Sequence, residues 1–279
     1  MVLPPHPNPP PGGEREGPDA ERREGEGELT TRRPAQQEKS KRDEKRAARL
    51  NDRVALITGA SRGLGAALAH RFAAEGAHLV LLARDKVALE KIDDELRADG
   101  HGATLVPLDL RQFDQLDAMA ASLHERFGRL DVFVSCAAAL GHLAPTGHFD
   151  PVHWQEIVDV NVTANWRLIR ALDPLLRASR GGRAIFATCI AARETEPYWA
   201  PYAASKAALE ALVKSYAEEI AQSTLRVNLV DPGPMRTALR FAAFPFEERD
   251  KIKPPEEATG PFVTLAEESC TQNGELITL

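Results

Sequence analysis

From Arg53 onward the chain alternates short apolar runs with amphipathic ones, and that alternation limits its fold more than any other feature. The runs are RVALIT, HLVLLA, ATLVPLDL, LDVFVS, RAIFAT, LRVNLV and GELITL. Each is short, rich in aliphatic and β-branched residues, and nearly free of polar alternation, as a strand buried on both faces should be. Between them lie helical patterns: GAALAHRFAAEG, KVALEKIDDELRADG, Gln112–Phe127, a long helix across Trp154–Leu176, Ala200–Gln222 and Pro255–Glu268. A strand that returns through a helix pairs in parallel with its predecessor. The expected fold class is therefore α/β: one domain over 51–279, with a doubly wound parallel sheet of about seven strands and helices on both faces.

Residues 1–50 break this pattern. PPHPNPPPGGEREG is rich in Pro and Gly, and ERREGEGELTTRRPAQQEKSKRDEKRAARL mixes charges with hardly any apolar residue. Such a segment buries too little surface to offset its ordering entropy, so a disordered tail is expected, with a frayed helix near Gln36–Leu50. It lacks the apolar stretch of a signal peptide. The whole chain has 279 residues, 43% of them hydrophobic, enough for a full core. A net charge of -6 argues against a nucleic-acid or anionic-membrane partner, both of which favour a basic face. No apolar run approaches a membrane span of ~20 residues. Cys136, Cys189 and Cys270 form neither a metal-ligand spacing nor a secreted disulfide pattern, so reduced thiols in a cytoplasmic protein are expected.

LITGASRGLG stands where the first strand turns into the first helix. Gly59, Ser61, Arg62, Gly63, Leu64 and Gly65 make up this turn, whose glycines let backbone bend tightly and approach a pyrophosphate at the helix N-terminus. Farther on, Tyr202 and Lys206 stand four apart on a helical segment, hence on one face. A free phenol has a pKa near ~10. An ammonium beside it favours the phenolate and is expected to bring that pKa down, making tyrosine a usable acid or base. Tyr198 has no lysine at the matching place.

The spacing T-G-x-x-x-G-x-G, the pair Tyr202-x-x-x-Lys206 and the segment DPGPMRT together resemble the short-chain dehydrogenase/reductase family. The resemblance runs from about Asp52 to the C-terminus and implies a Rossmann-like fold, a nicotinamide cofactor and an oxidoreductase. It implies that Lys206 also holds the nicotinamide ribose, and that Asn161, in DVNVTANW, links the lysine to solvent in a proton relay. It further implies that Asp109 and Leu110 meet the adenine, and that Pro232, Gly233 and Thr237 meet the nicotinamide side. Pairing through the two long helices into a homodimer or homotetramer is implied as well.

The choice of nicotinamide cofactor rests on charge. An acidic residue at the end of the second strand would bind the adenosine ribose and repel a 2′-phosphate. Here HLVLLA ends in Arg84, with Asp85 one place beyond, and Arg62 lies within the glycine turn. Guanidinium suits phosphate, so NADP(H) is expected, with NAD(H) the alternative if Asp85 takes the ribose.

Two positions depart from the family. Asn-Asn-Ala-Gly after the fourth strand is replaced by Ser135–Ala138, SCAA, which threatens that loop's stability while leaving Ala137 and Ala138 small enough for a close approach. The family's substrate-orienting serine is replaced by Cys189, a weaker donor. Losing such a donor costs on the order of 10²–10³ in turnover. Neighbouring Thr188 should point to the opposite face. Cys189 reads in three ways: a tolerated substitute in a slower reductase, a reactive thiol, or an inert residue in a cofactor-binding scaffold or sensor without turnover. On the substrate side, an insert at about 237–255 brings Phe241, Phe244 and Phe246, either an apolar lid over a small apolar carbonyl or alcohol, or core packing. Trp199, His142 and Trp154 are further candidates to approach the cleft.

Overall fold

The protein is described by a computed structural model over residues 48–279. The readings made for residues 1–47 lie outside the described residues. Seven parallel strands form one sheet in the order β3-β2-β1-β4-β5-β6-β7. They are β1 (Val54–Thr58), β2 (His78–Ala83), β3 (Ala103–Pro107), β4 (Val132–Ser135), β5 (Arg183–Ala187), β6 (Arg226–Asp231) and β7 (Leu276–Thr278). The helices are α1 (Gly63–Ala74), α2 (Lys86–Ala98), α3 (Phe113–Phe127), α4 (Pro151–Val158), α5 (Ala164–Ala178), α6 (Ala200–Glu219), α7 (Ala238–Ala243) and α8 (Thr259–Ala266).

Strand side chains alternate between two cores, as period two requires. Leu56, Val80, Leu82, Phe133 and Phe186 pack with Leu116, Leu168, Leu172, Leu209 and Val213 of α3, α5 and α6. Ile57, Leu79, Leu81, Val134 and Ile185 pack with Leu68, Phe72, Leu89 and Phe262 of α1, α2 and α8. Both faces being covered explains why the strands read as continuous apolar runs. The order reverses between β1 and β4, so the loops after these two strands diverge and leave a crevice at their C-terminal ends.

Three boundaries differ from the sequence reading. Leu50, assigned above to the tail, is fully buried, and its amide donates to the Glu75 carbonyl at 2.9 Å. The long helix expected across Trp154–Leu176 is two helices joined by one π-helical turn, Asp159–Thr163, because the hydrogen-bond ladder opens around Asn161. It also starts earlier, where Pro151 fits the first turn and the Asp150 carboxylate accepts from the Val152 amide at 2.7 Å. The helix expected over Pro255–Glu268 is a 3₁₀ turn, Pro255–Ala258, followed by α8. No helix among the described residues is long and apolar enough to cross a membrane.

Candidate active site

The glycine turn sits at the reversal point, and its glycines are sterically required. Gly59 and Gly63 have φ of +67° and +57°. A Cβ on Gly65 would stand 2.3 Å from the Gly59 carbonyl oxygen, and one on Gly59 would stand 2.9 Å from the Ala137 backbone. The turn is thus packed against the loop after β4 on one side, while Thr237 lies over Gly63, 3.2 Å from its would-be Cβ, on the other. No side chain caps the N-terminus of α1, whose first turn holds no acidic residue. Its amides and dipole suit an anion. Ser61 is half-buried, Arg62 is exposed, and Leu64 belongs to the core beneath.

The loop after β4 is anchored despite its altered residues. The Thr58 hydroxyl accepts from the Cys136 and Ala137 amides at 3.2 and 3.4 Å. Ser135 Oγ donates to Asn165 Oδ1 at 2.6 Å, and Asn165 donates in turn to the Asn161 carbonyl at 2.9 Å. The loss of stability expected from SCAA therefore has a structural counterweight in Thr58 and Asn165, neither of which belongs to that motif.

At the adenine end, Arg84 and Asp85 are exposed at the close of β2. The Asp85 carboxylate accepts from the Ala88 amide at 3.0 Å and caps α2. Asp109 is held by Arg111, whose guanidinium donates at 2.8 Å, and this bond keeps its carboxyl below the ordinary range. Leu110 is buried in the core.

Tyr202 and Lys206 both project from α6 and are buried, at 6% and 4% exposure. Cys189 Sγ lies 3.8 Å from Tyr202 Oη. Thr188 is turned away as expected, donating to Glu210 Oε1 at 2.8 Å. Lys206 Nζ donates to the Ala187 carbonyl at 3.0 Å and lies 5.9 Å from the Tyr202 ring centre. The expected lowering of the phenol pKa is not what this geometry gives: burial pushes Tyr202 well above its ordinary value, with Cys189 and Asp231 adding to the rise. Burial lowers Lys206, opposed by Cys189, Cys136, Glu210 and Asp231. Cys136, behind this pair, has its thiol pushed up to about 12 by burial.

Asn161 is fully buried and reaches α6 through an intermediary. Its Nδ2 donates to Ser205 Oγ at 2.9 Å, and Ser205 donates to the Tyr202 carbonyl at 2.7 Å. Its amide also exchanges bonds of 2.8 and 2.9 Å with the backbone of Ala139. The asparagine therefore ties the β4 loop to α6, its side chain bonding Ala139 and Ser205. Ser205 directly precedes Lys206, and nothing in the sequence around it marks it as the partner of Asn161.

The substrate side is apolar. Leu140, Ala138, Leu143, Cys189, Ala191, Trp199, Leu239 and Phe244 cluster with Tyr202. Trp199 meets Tyr202 edge-on at 5.8 Å and Phe244 at 5.6 Å. Of the three insert phenylalanines, only Phe244 joins this wall; Phe241 lies under Arg249, and Phe246 is 98% exposed. His142 stacks on Phe149, and Trp154 is part-exposed on α4. Pro232 is buried and Gly233 has φ +66°. Thr237 caps α7, its hydroxyl accepting from the Arg240 amide at 3.2 Å.

A glycine turn at the reversal point of a seven-stranded parallel sheet, with a buried Tyr–Lys pair on α6, makes a Rossmann-like α/β fold. The model of the short chain dehydrogenase family matches residues 53–247. The uncharacterised oxidoreductase YciK of Escherichia coli K12 is 36% identical over 219 residues, 77% of this chain and 86% of YciK. A short chain dehydrogenase structure from Shigella flexneri 2a, complexed with NADP, superposes with TM-score 0.81 at 33% identity, covering 84% of this chain and 99% of that one. One from Escherichia coli CFT073, complexed with NADPH, gives TM-score 0.81 at 34% identity over 84% and 98% of the two chains. The chain belongs to the short chain dehydrogenase family of oxidoreductases.

Proposed function

We propose that this protein is an NADP(H)-dependent oxidoreductase that interconverts a carbonyl and a secondary alcohol on a small apolar substrate. The observation that carries the reading is the Tyr202–Lys206 pair, buried beside Cys189 in a chain whose glycine turn is so tight that a Cβ at Gly65 would strike the Gly59 carbonyl. The cradle fits a dinucleotide: uncapped α1 amides suit a pyrophosphate, and Thr237, from the segment after Pro232 and Gly233, closes over Gly63 beside them. A nicotinamide cofactor bound there would supply the hydride. NADP(H) is favoured over NAD(H) because Arg62 and Arg84 are both exposed at the adenine end, while Asp85 already caps α2. Two solved relatives are described as complexed with NADP and NADPH, which supports the same choice.

In the reducing direction, Tyr202 gives its phenolic proton to the forming alkoxide, a role suited to a phenol that burial keeps protonated. Lys206, held by Ala187, places a positive charge behind the phenolate that remains. Cys189 orients the substrate oxygen with a weak thiol donor, so turnover is slow. The wall of Leu140, Leu143, Trp199 and Phe244 contributes no charge, which favours an uncharged apolar substrate. Pairing of subunits through α5 and α6 completes the reading.

Fluorescence titration with NADPH and NADH tests the cofactor assignment. NADPH should bind more tightly, and Arg84→Ala combined with Arg62→Ala should remove about tenfold of that preference. Equal affinities in the wild type would overturn it. The rival reading, a scaffold that binds cofactor without turnover, has one observation in its favour, the Cys189 thiol at the orienting position. It would be upheld if bound NADPH were never oxidised by any of a panel of carbonyls, in wild type or in Cys189→Ser.

A further inference from the structure

Beneath the candidate site lies a charged cluster that catalysis as described does not use. Arg193 follows the 3₁₀ turn Ile190–Ala192 that Cys189 opens. Its guanidinium forks, Nη1 donating to Glu210 Oε1 and Nη2 to Asp231 Oδ2. Both acceptors are buried, Glu210 at 5% and Asp231 at 2% exposure. Glu210 stands one helical turn beyond Lys206 on the same face of α6, and also accepts from Thr188 at the end of β5 at 2.8 Å. The other oxygen of Asp231 accepts from the Gly233 amide at 3.0 Å, at the entrance to the DPGPMRT loop. Lys214 Nζ lies 3.8 Å from Glu210 Oε2 at the outer edge.

We infer that Arg193 is a positioning residue for the Tyr202–Lys206 pair, its guanidinium tying the helix that carries them to the loop that carries Gly233. The inference rests on the oxidoreductase reading above. Two adjacent buried carboxylates repel and lack solvation, so a cation must sit between them for both to stay. A planar, two-pronged donor meets acceptors on two elements at once; a lysine supplies a single point charge. With Arg193 in place, Glu210 cannot shift along α6 without moving Asp231, so Lys206 and Gly233 keep a fixed separation. Misplacement by about 1 Å costs on the order of 10²-fold in rate, so such a brace bears on turnover without touching substrate. The chain thus joins the ends of β5 and β6, the Cys189 turn and α6 through one guanidinium.

The test compares Arg193→Met and Arg193→Lys with the wild-type full chain. Hydrogen exchange, which needs neither cofactor nor substrate, should accelerate about tenfold or more at the amides of residues 231–237 and 188–193 in Arg193→Met, with β1–β3 unchanged. In NADPH-dependent carbonyl reduction, kcat should fall about 100-fold and KM for NADPH rise about tenfold, with partial recovery in Arg193→Lys. Uniform acceleration of exchange across the sheet, with kcat and KM within about twofold of wild type, would overturn the proposal by reducing Arg193 to a general stabiliser. A wild type without turnover would count against the oxidoreductase reading alone, and the exchange pattern would still decide the brace.

Discussion

At the N-terminal edge of the sheet, Arg53, Asp131 and Arg183 are buried and direct their polar atoms to neighbouring backbone and Ser179. At the C-terminal edge Lys206 is equally buried, yet its one described hydrogen bond is to the Ala187 carbonyl. Arg183 alone donates to five carbonyls, those of Gly182, Thr224, Glu267, Glu268 and Cys270. It thereby ties β5 to the segment after α8. Desolvation still brings its pKa down to about 10. The first edge is closed by polar contacts, with Arg53 Nε left without a partner, whereas the second carries glycines, small residues and Lys206, braced from beneath by the Arg193 cluster. In a parallel sheet with both faces covered, the N-terminal and C-terminal ends of the strands are where stability and chemistry divide.

Breaking the closed edge should unfold the protein without altering its chemistry. Asp131→Ala strands the Val54 amide and the Ser179 hydroxyl, which now reach its carboxylate at 2.9 and 2.5 Å. We expect a loss of about 3 kcal/mol in urea unfolding, with turnover per folded molecule unchanged. A large fall in turnover with unchanged stability would dissolve the division between the edges.

The open edge should respond the other way. Cys189→Ser restores a hydroxyl beside Tyr202, and we expect kcat to rise about tenfold, worth about 1.4 kcal/mol in activation free energy, with unfolding shifted by under about 0.5 kcal/mol. A fall in kcat would show that the pocket is shaped for the larger sulfur.

The smallest effect sharpens the contrast within the open edge itself. The Cys136 thiol is raised from 9.0 to about 12 by burial, so between those values the folded protein keeps a proton that the unfolded chain has lost. Stability is therefore complete below pH 9 and declines above it, by up to about 1 kcal/mol at pH 10. Urea unfolding at neutral pH and at pH 10 should show this decline in wild type and a flatter dependence in Cys136→Ala.

Much of this architecture is legible in the sequence, for identifiable reasons. HLVLLA coincides with β2, because an apolar run between a Gly-containing turn and charged residues has few alternatives. The glycine turn could be placed because its spacing and flanking elements are local. The π-helical turn at Asn161 could not, since it depends on Ala139 and Ser205, which are distant in sequence. The same holds for Arg193, Glu210 and Asp231, each unremarkable in its own segment and joined only when β5, α6 and β6 come together. Phe241, Phe244 and Phe246 read alike in sequence, and packing alone separates the one beside Trp199 from the exposed one. The rise of the Tyr202 phenol comes first from burial, with Cys189 and Asp231 adding to it, and a four-residue spacing carries no sign of burial.

Carbonyl reduction by NADPH, followed in wild type and in Tyr202→Phe, tests most directly that the open edge is a catalytic site with Tyr202 as its acid. The phenylalanine variant should fold and bind NADPH as wild type does, while kcat falls by about 10²–10⁴-fold. Turnover that survives Tyr202→Phe undiminished would contradict the mechanism outright.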